Sequence, residues 1–86
     1  MEDTVKTYLN FKSKYPDTIL FIRSGEYYYC FNASAFTLLH LTKGFMTREV
    51  INNVLHFYTA IHHYQVNTII DKLRYSGYPM ALIDLL

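Results

Sequence analysis

The chain has 86 residues, which fits one domain and leaves no room for a second. Hydrophobic residues make up 51% and aromatic residues 17%, a composition that excludes a disordered chain. The net charge of +1 lacks the basic excess usual in duplex-binding proteins, so charge alone neither predicts nor excludes nucleic acid.

The first predicted element is a helix that ends before Pro16, because the residue preceding a proline resists helical angles. Thr4 is expected to cap this helix, and Glu2 and Asp3 lie where the helix dipole favours acids. The side chains expected to share its apolar face are Val5, Tyr8, Leu9 and the stem of Lys12.

Two strands are predicted next. The run TILFIR is apolar almost throughout, which predicts a strand buried on both faces. Ser24-Gly25 predicts a turn, and EYYYCF then continues in extended form. Successive side chains of a strand point to opposite faces, so Tyr27, Tyr28 and Tyr29 cannot all enter one core. At least one of these rings is expected to face solvent or a partner.

A second helix is predicted to begin at residues 32–34, and the segment after it is ambiguous. Residues 48–58 fit helical spacing, and they fit a hairpin turning at Asn52-Asn53 equally well. The apolar contacts expected from the second helix are Phe36, Leu38 and Leu39.

The third helix has the clearest pattern, and a last strand follows it. Its apolar residues recur at i, i+3, i+4 and i+7, and Gly77 stands where a left-handed cap belongs. YPMALIDLL predicts a final buried strand. The whole order predicts an α/β domain with a mixed sheet. The helix positions concerned are Val66, Ile69, Ile70 and Leu73.

No group of residues predicts an enzyme, a metal site or a bound cofactor. His62-His63, with His56 nearby, are expected to be surface or helix-start histidines, because adjacent histidines point apart in a helix or a strand and no acid or cysteine lies at a ligand spacing such as HExxH. Cys30 has no base partner in sequence and predicts a buried small hydrophobe. Asp71 and Arg74, three residues apart, predict a solvated ion pair. With three glycines there is no phosphate-binding loop, so no nucleotide ligand is expected.

The expected location is the cytoplasm. The single cysteine excludes a disulfide framework, and the opening MEDTVKTYLN lacks a signal-peptide pattern. No apolar run approaches the roughly 18 residues of a membrane span, so no membrane partner is expected.

Three blocks of the sequence resemble the mismatch-recognition domain of the DNA repair protein MutS. KYPDTILFIRSGEYYYCF is similar to the family's KYPDTILFFRVGDFYELF. The similarity resumes at LLHLTK, where the family has a leucine-rich helix end followed by LTLTKR. YQVNTIIDKLRYSGYPMALID is similar to HALDNYLPKLVRAGYRVAICD. The resemblance implies one domain over residues 1–86, with a mixed sheet of about six strands flanked by three helices. It also favours a hairpin for residues 48–58.

The same resemblance implies a DNA-probing site. The family's Phe-x-Glu motif lies in GDFYE, which aligns with Gly25 to Tyr29. Tyr27 takes the position of the phenylalanine that wedges beside a mismatched base, and tyrosine can still stack on a base. Tyr29 takes the position of the glutamate and replaces an anionic acceptor by a neutral phenol. Arg23 is a candidate phosphate or positioning contact.

We therefore expect a stand-alone, non-enzymatic domain that binds double-stranded or mismatched DNA through an aromatic wedge at Tyr27. The chain is too short to hold the family's connector, lever, clamp and ATPase domains, so DNA binding is expected to need oligomerisation or a partner. The alternative is a protein-interaction module that keeps the fold without the DNA site and contacts another protein or itself. A third possibility is a remnant or a fragment of a larger gene product.

Overall fold

Three α-helices and five strands make up residues 1–85, the part of the chain that a computed structural model describes. The sheet has the order β3-β4-β2-β1-β5, in which only β5 runs parallel to its neighbour. The predicted mixed sheet with three helices is confirmed, with five strands where about six were expected. The elements are α1 (Glu2–Lys14), β1 (Ile19–Ser24), β2 (Tyr27–Phe31), α2 (Asn32–Thr42), β3 (Thr47–Ile51), β4 (Val54–His62), a 3₁₀ turn (His63–Gln65), α3 (Val66–Leu73) and β5 (Met80–Asp84).

The core lies on both faces of β1. Leu20 and Ile22 pack on the side covered by α1, whereas Ile19 and Phe21 pack on the side of α2 and α3. All four side chains are at most 1% exposed, which confirms the two-sided burial that TILFIR predicts.

The segment that was ambiguous in sequence is a hairpin of β3 and β4. Asn52 and Asn53 connect the two strands and have φ values of 52° and 64°. Two central residues with positive φ form the turn that matches the twist of paired strands, and asparagine tolerates that conformation better than most residues. The turn thus provides the physical reason for a hairpin, which confirms the choice favoured by the resemblance.

We predict that Asn53→Ala lowers the free energy of unfolding by about 1 kcal/mol, because alanine disfavours the left-handed region. Asn53→Gly serves as the control, since glycine takes positive φ freely and should preserve or raise stability. Urea denaturation of both variants checks the difference. Equal stabilities would contradict the role of the positive φ.

Some expectations for the terminal elements are wrong. Thr4 does not cap α1, whose N-cap is Met1; it is buried within the helix at 2% exposure. Leu9 is 49% exposed, because α1 packs on the sheet through a narrow face that contains Val5 and Tyr8. Gly77 has a φ of 87°, but it lies beyond the C-cap of α3 at Arg74.

The final strand is not buried as predicted. β5 pairs with β1 alone and so forms one edge of the sheet. Its alternate residues Leu82 and Asp84 are exposed. None of the helices in residues 1–85 has the length and apolarity needed to cross a membrane.

Candidate functional site

The tight turn between β1 and β2 presents Tyr27 to solvent. Gly25 has a φ of 65° in this turn, a backbone conformation that residues with a Cβ atom rarely adopt. Tyr27 begins β2 with 42% of its surface exposed, whereas the next residue, Tyr28, is 7% exposed and belongs to the core on the side of α2 and α3. The alternation of a strand therefore separates the tyrosines as the sequence predicts.

A line of four rings, which we call the aromatic stripe, continues from Tyr27 into the core on the α1 side of the sheet. It consists of Tyr27, Tyr29 and Phe31 of β2 and Tyr58 of β4. The ring centroids of Tyr27 and Tyr29 are 6.2 Å apart, and those of Tyr29 and Phe31 are 6.2 Å apart with an interplanar angle of 21°. Tyr58 lies 5.9 Å from Tyr29 and 5.8 Å from Phe31.

Exposure falls steadily along the stripe. Tyr27 is exposed, Tyr29 is half-buried and Phe31 is fully buried against Tyr8 of α1, at a centroid distance of 5.6 Å. The outermost ring therefore rests on packed rings behind it. Such support holds Tyr27 in place at the surface before any partner arrives.

Two acidic side chains lie near the stripe. Glu26 precedes Tyr27 with its side chain 69% exposed. Burial raises the pKa of the Tyr58 hydroxyl, and the nearby Glu49 carboxylate raises it further, so Tyr58 stays neutral at physiological pH. Two carboxylates, those of Glu26 and Glu49, thus lie next to the stripe.

Arg23 lies on the opposite face of the sheet from Tyr27 and Tyr29. It pairs across the strands with Tyr28, and its guanidinium carbon is 5.9 Å from the centroid of that ring. Its Nε donates a hydrogen bond to the carbonyl of Gly25 at 3.2 Å. The structure brings Tyr27 and Tyr29 together and keeps Arg23 apart from them.

The side chains of His62 and His63 converge beside Tyr27 instead of pointing apart. The Nε2 atoms of His63 and His62 lie 3.3 and 3.9 Å from Oε2 of Glu26. The expectation of divergent rings is wrong because β4 ends at His62 and a 3₁₀ turn begins at His63, so strand alternation does not extend across the pair. The ring of His62 also packs edge-on to Tyr27 at 5.1 Å.

Sequence reasoning missed this cluster because Glu26 is distant from both histidines along the chain. The signal that brings them together is the register of β2 and β4, which pairs Tyr27 with His62. The amide of His63 also donates a hydrogen bond to the carbonyl of Glu26 at 2.8 Å. His56 lies elsewhere, buried with its Nδ1 3.0 Å from the side-chain nitrogen of Asn32.

The remaining polar and reactive side chains that the sequence singles out have contacts within the fold. Cys30 is fully buried in the core, and burial raises the pKa of its thiol far above the usual range, so it is no nucleophile. Asp71 and Arg74 form the predicted exposed ion pair at 2.7 Å. Lys12 donates a hydrogen bond to the carbonyl of Thr18, and burial lowers the pKa of its amine.

The sequence matches a known protein family over almost its whole length. The model of the family described as MutS domain I matches residues 2–85. A search of curated proteins found no match to the chain.

Proposed function

The chain belongs to the MutS domain I family of mismatch-recognition domains, and from this premise we propose that it is a non-enzymatic module that binds double-stranded DNA at mismatched or distorted sites. The observation that carries the proposal is the exposed ring of Tyr27, supported from behind by the aromatic stripe. Tyr27 is the element that stacks on, or wedges beside, an unstacked base.

The packing of Tyr27 favours this role energetically. A base stacked on an aromatic side chain contributes about 1–3 kcal/mol. A ring already held in its bound position loses less conformational freedom on binding than a mobile one. Tyr27 is held by Tyr29 on one side and by the edge contact with His62 on the other.

The electrostatics of the site limit the affinity. Glu26 places a carboxylate next to Tyr27, and Arg23 lies on the other face of the sheet. Stable DNA binding requires many phosphate contacts, which a chain of net charge +1 supplies poorly. We propose that a partner or a second copy contributes those contacts, and that binding is detectable for the isolated chain at low salt.

Tyr29 sets the expected selectivity. It replaces the carboxylate of the family motif by a phenol that is half-buried between Tyr27 and Phe31. A ring packed in this way cannot reach a base as an anionic acceptor. We propose that Tyr27 responds to local unstacking, so that bulged and mismatched duplexes are bound similarly and homoduplex more weakly.

Fluorescence anisotropy with labelled bulged, mismatched and homoduplex DNA at low salt tests the proposal. Tyr27→Ala should weaken binding to bulged DNA about 5- to 150-fold, the equivalent of one lost stacking contact. Tyr75→Ala is the matched control, because Tyr75 is 91% exposed in the connection between α3 and β5. Its binding should equal that of the wild type.

Two outcomes would remove the DNA proposal. One is equal, negligible binding by wild type and Tyr27→Ala at the lowest salt concentration. The other is binding that does not weaken as salt rises, since phosphate contacts make affinity fall with salt.

A protein-interaction module is the second candidate, and one observation favours it. The hairpin of β3 and β4 exposes three aliphatic side chains, Val50, Val54 and Leu55, at 64%, 54% and 48%. Together with the acidic surroundings of Tyr27, this surface suits a protein better than a phosphate backbone. Sedimentation analysis that shows salt-insensitive self-association, lost in Val50→Asp and kept in Tyr27→Ala, would favour this candidate.

A further inference from the structure

Glu26, His62 and His63 place three metal-ligand atoms around one point beside Tyr27. One carboxylate oxygen and one nitrogen from each imidazole all lie within 4.8 Å of one another. The three residues come from two segments of the chain: Glu26 from the turn before β2, and His62 and His63 from the junction of β4 with the 3₁₀ turn. The backbone hydrogen bond from His63 to Glu26 holds these two segments together at 2.8 Å.

The separation between Glu26 and His63 suits a tetrahedral ion. Zinc bonds of about 2.0–2.1 Å to nitrogen and oxygen require ligand atoms about 3.3 Å apart. The distance from Glu26 Oε2 to His63 Nε2 is 3.3 Å, and the distance to His62 Nε2 is 3.9 Å. Because the Glu26 side chain is 69% exposed, its carboxylate can rotate to shorten the longer separation.

We propose that Glu26, His62 and His63 form a binding site for a divalent transition-metal ion, with Zn²⁺ as the ion that suits two imidazoles and one carboxylate. Three protein ligands leave the fourth tetrahedral position to water, so the site belongs to the open class. This site is independent of the proposed DNA function and is tested without DNA.

The surroundings of His62 determine how tightly the site is expected to bind a metal ion. Coordination through Nε2 leaves the ring proton on Nδ1, and that atom is buried without a hydrogen-bond partner among the described residues. Ligating imidazoles normally donate this proton to an acceptor, and loss of such a partner weakens metal binding about 10- to 100-fold. The expected affinity is therefore about 10- to 100-fold weaker than that of a zinc site whose imidazoles have such an acceptor.

A bound ion would change the charge next to Tyr27. The +2 charge of Zn²⁺ outweighs the −1 charge of the Glu26 carboxylate, so the end of the stripe would become positive. The ion would also link the turn before β2 to the end of β4, whose last residue, His62, pairs with Tyr27.

Isothermal titration calorimetry of the purified chain with Zn²⁺, in a buffer that does not chelate metals, tests the site. Wild type should bind one ion per chain. Glu26→Gln and His63→Ala should each weaken binding by at least about 10-fold. His40→Ala is the matched control, because His40 is exposed on α2 and lies outside the cluster; its affinity should be unchanged.

Co²⁺ absorption gives a second readout of the same site. A tetrahedral complex should give visible d–d bands that Zn²⁺ displaces and that Glu26→Gln weakens, while circular dichroism shows that Glu26→Gln remains folded. No saturable heat up to millimolar Zn²⁺ would overturn the proposal. Undiminished binding by both Glu26→Gln and His63→Ala would overturn it as well.

Discussion

Replacing Phe31 by alanine is expected to lower the free energy of unfolding by about 3–5 kcal/mol, the usual range for a buried phenylalanine. Phe31 has no exposed surface and contacts three other rings, those of Tyr8, Tyr29 and Tyr58. The variant would leave a cavity between α1 and the sheet. Small domains have unfolding free energies of only about 5–15 kcal/mol, so much of the population would unfold on mild warming.

Phe45→Ala is the matched control for Phe31→Ala. Phe45 is 94% exposed in the connection between α2 and β3, so its removal should change stability by less than about 0.5 kcal/mol. Urea denaturation followed by circular dichroism measures both variants. A loss below about 1 kcal/mol for Phe31→Ala would show that the stripe does not hold α1 on the sheet.

Restoring the family's carboxylate by Tyr29→Glu is expected to destabilise the protein by about 2–4 kcal/mol at neutral pH. The side chain at position 29 lies half-buried among Tyr27, Phe31 and Tyr58, which offer apolar ring surface to the new charge. The motif therefore cannot be restored by one substitution without repacking the stripe.

The destabilisation by Tyr29→Glu should depend on pH. Burial against rings raises the folded-state pKa of the new carboxyl above its unfolded value of about 4.3. The loss is then largest above the folded-state pKa and shrinks as pH falls below the unfolded value, where the group is neutral in both states. Urea denaturation of the variant and the wild type, at neutral pH and at a pH below the unfolded-state pKa, measures this difference in stability.

Tyr75→Glu provides the control for charge alone, because Tyr75 is 91% exposed. Its effect on stability should be small and almost independent of pH. If Tyr29→Glu matched the wild type at neutral pH, position 29 would have to be free to turn into solvent, and the explanation for the altered motif would fail.

Local patterns predicted much of the fold because they record burial directly. The unbroken apolar run TILFIR predicted the strand buried on both faces, and the spacing of Val66 to Leu73 predicted α3. The hairpin of β3 and β4 escaped periodicity, because its stability comes from strand pairing and from positive φ at Asn52 and Asn53. The burial of β5 is less than its sequence predicts, because an apolar sequence does not reveal that a strand lies at the edge of the sheet.

The candidate site was predicted only in part for a related reason. Strand alternation predicted that the tyrosines divide between the two faces, and the family resemblance indicated Tyr27 as the exposed one, as the structure shows. Bringing Glu26 to the two histidines requires the register of β2 and β4, which no short window of sequence contains. The resemblance proposes Arg23 beside Tyr27 as a phosphate or positioning contact, whereas the register of β1 and β2 pairs Arg23 with Tyr28 and so leaves it on the other face.

The parallel pairing of β1 with β5 has a consequence for synthesis on the ribosome. Residue 19 pairs with residue 80, so β1 can join β2 early, while its other edge stays unpaired until residue 80 has emerged. Non-local pairing of this kind slows folding. In that interval TILFIR, rich in β-branched and aromatic residues, exposes an unpaired apolar edge of the kind that recruits other chains. The most buried strand of the folded protein is thus a segment of the nascent chain that is prone to aggregation.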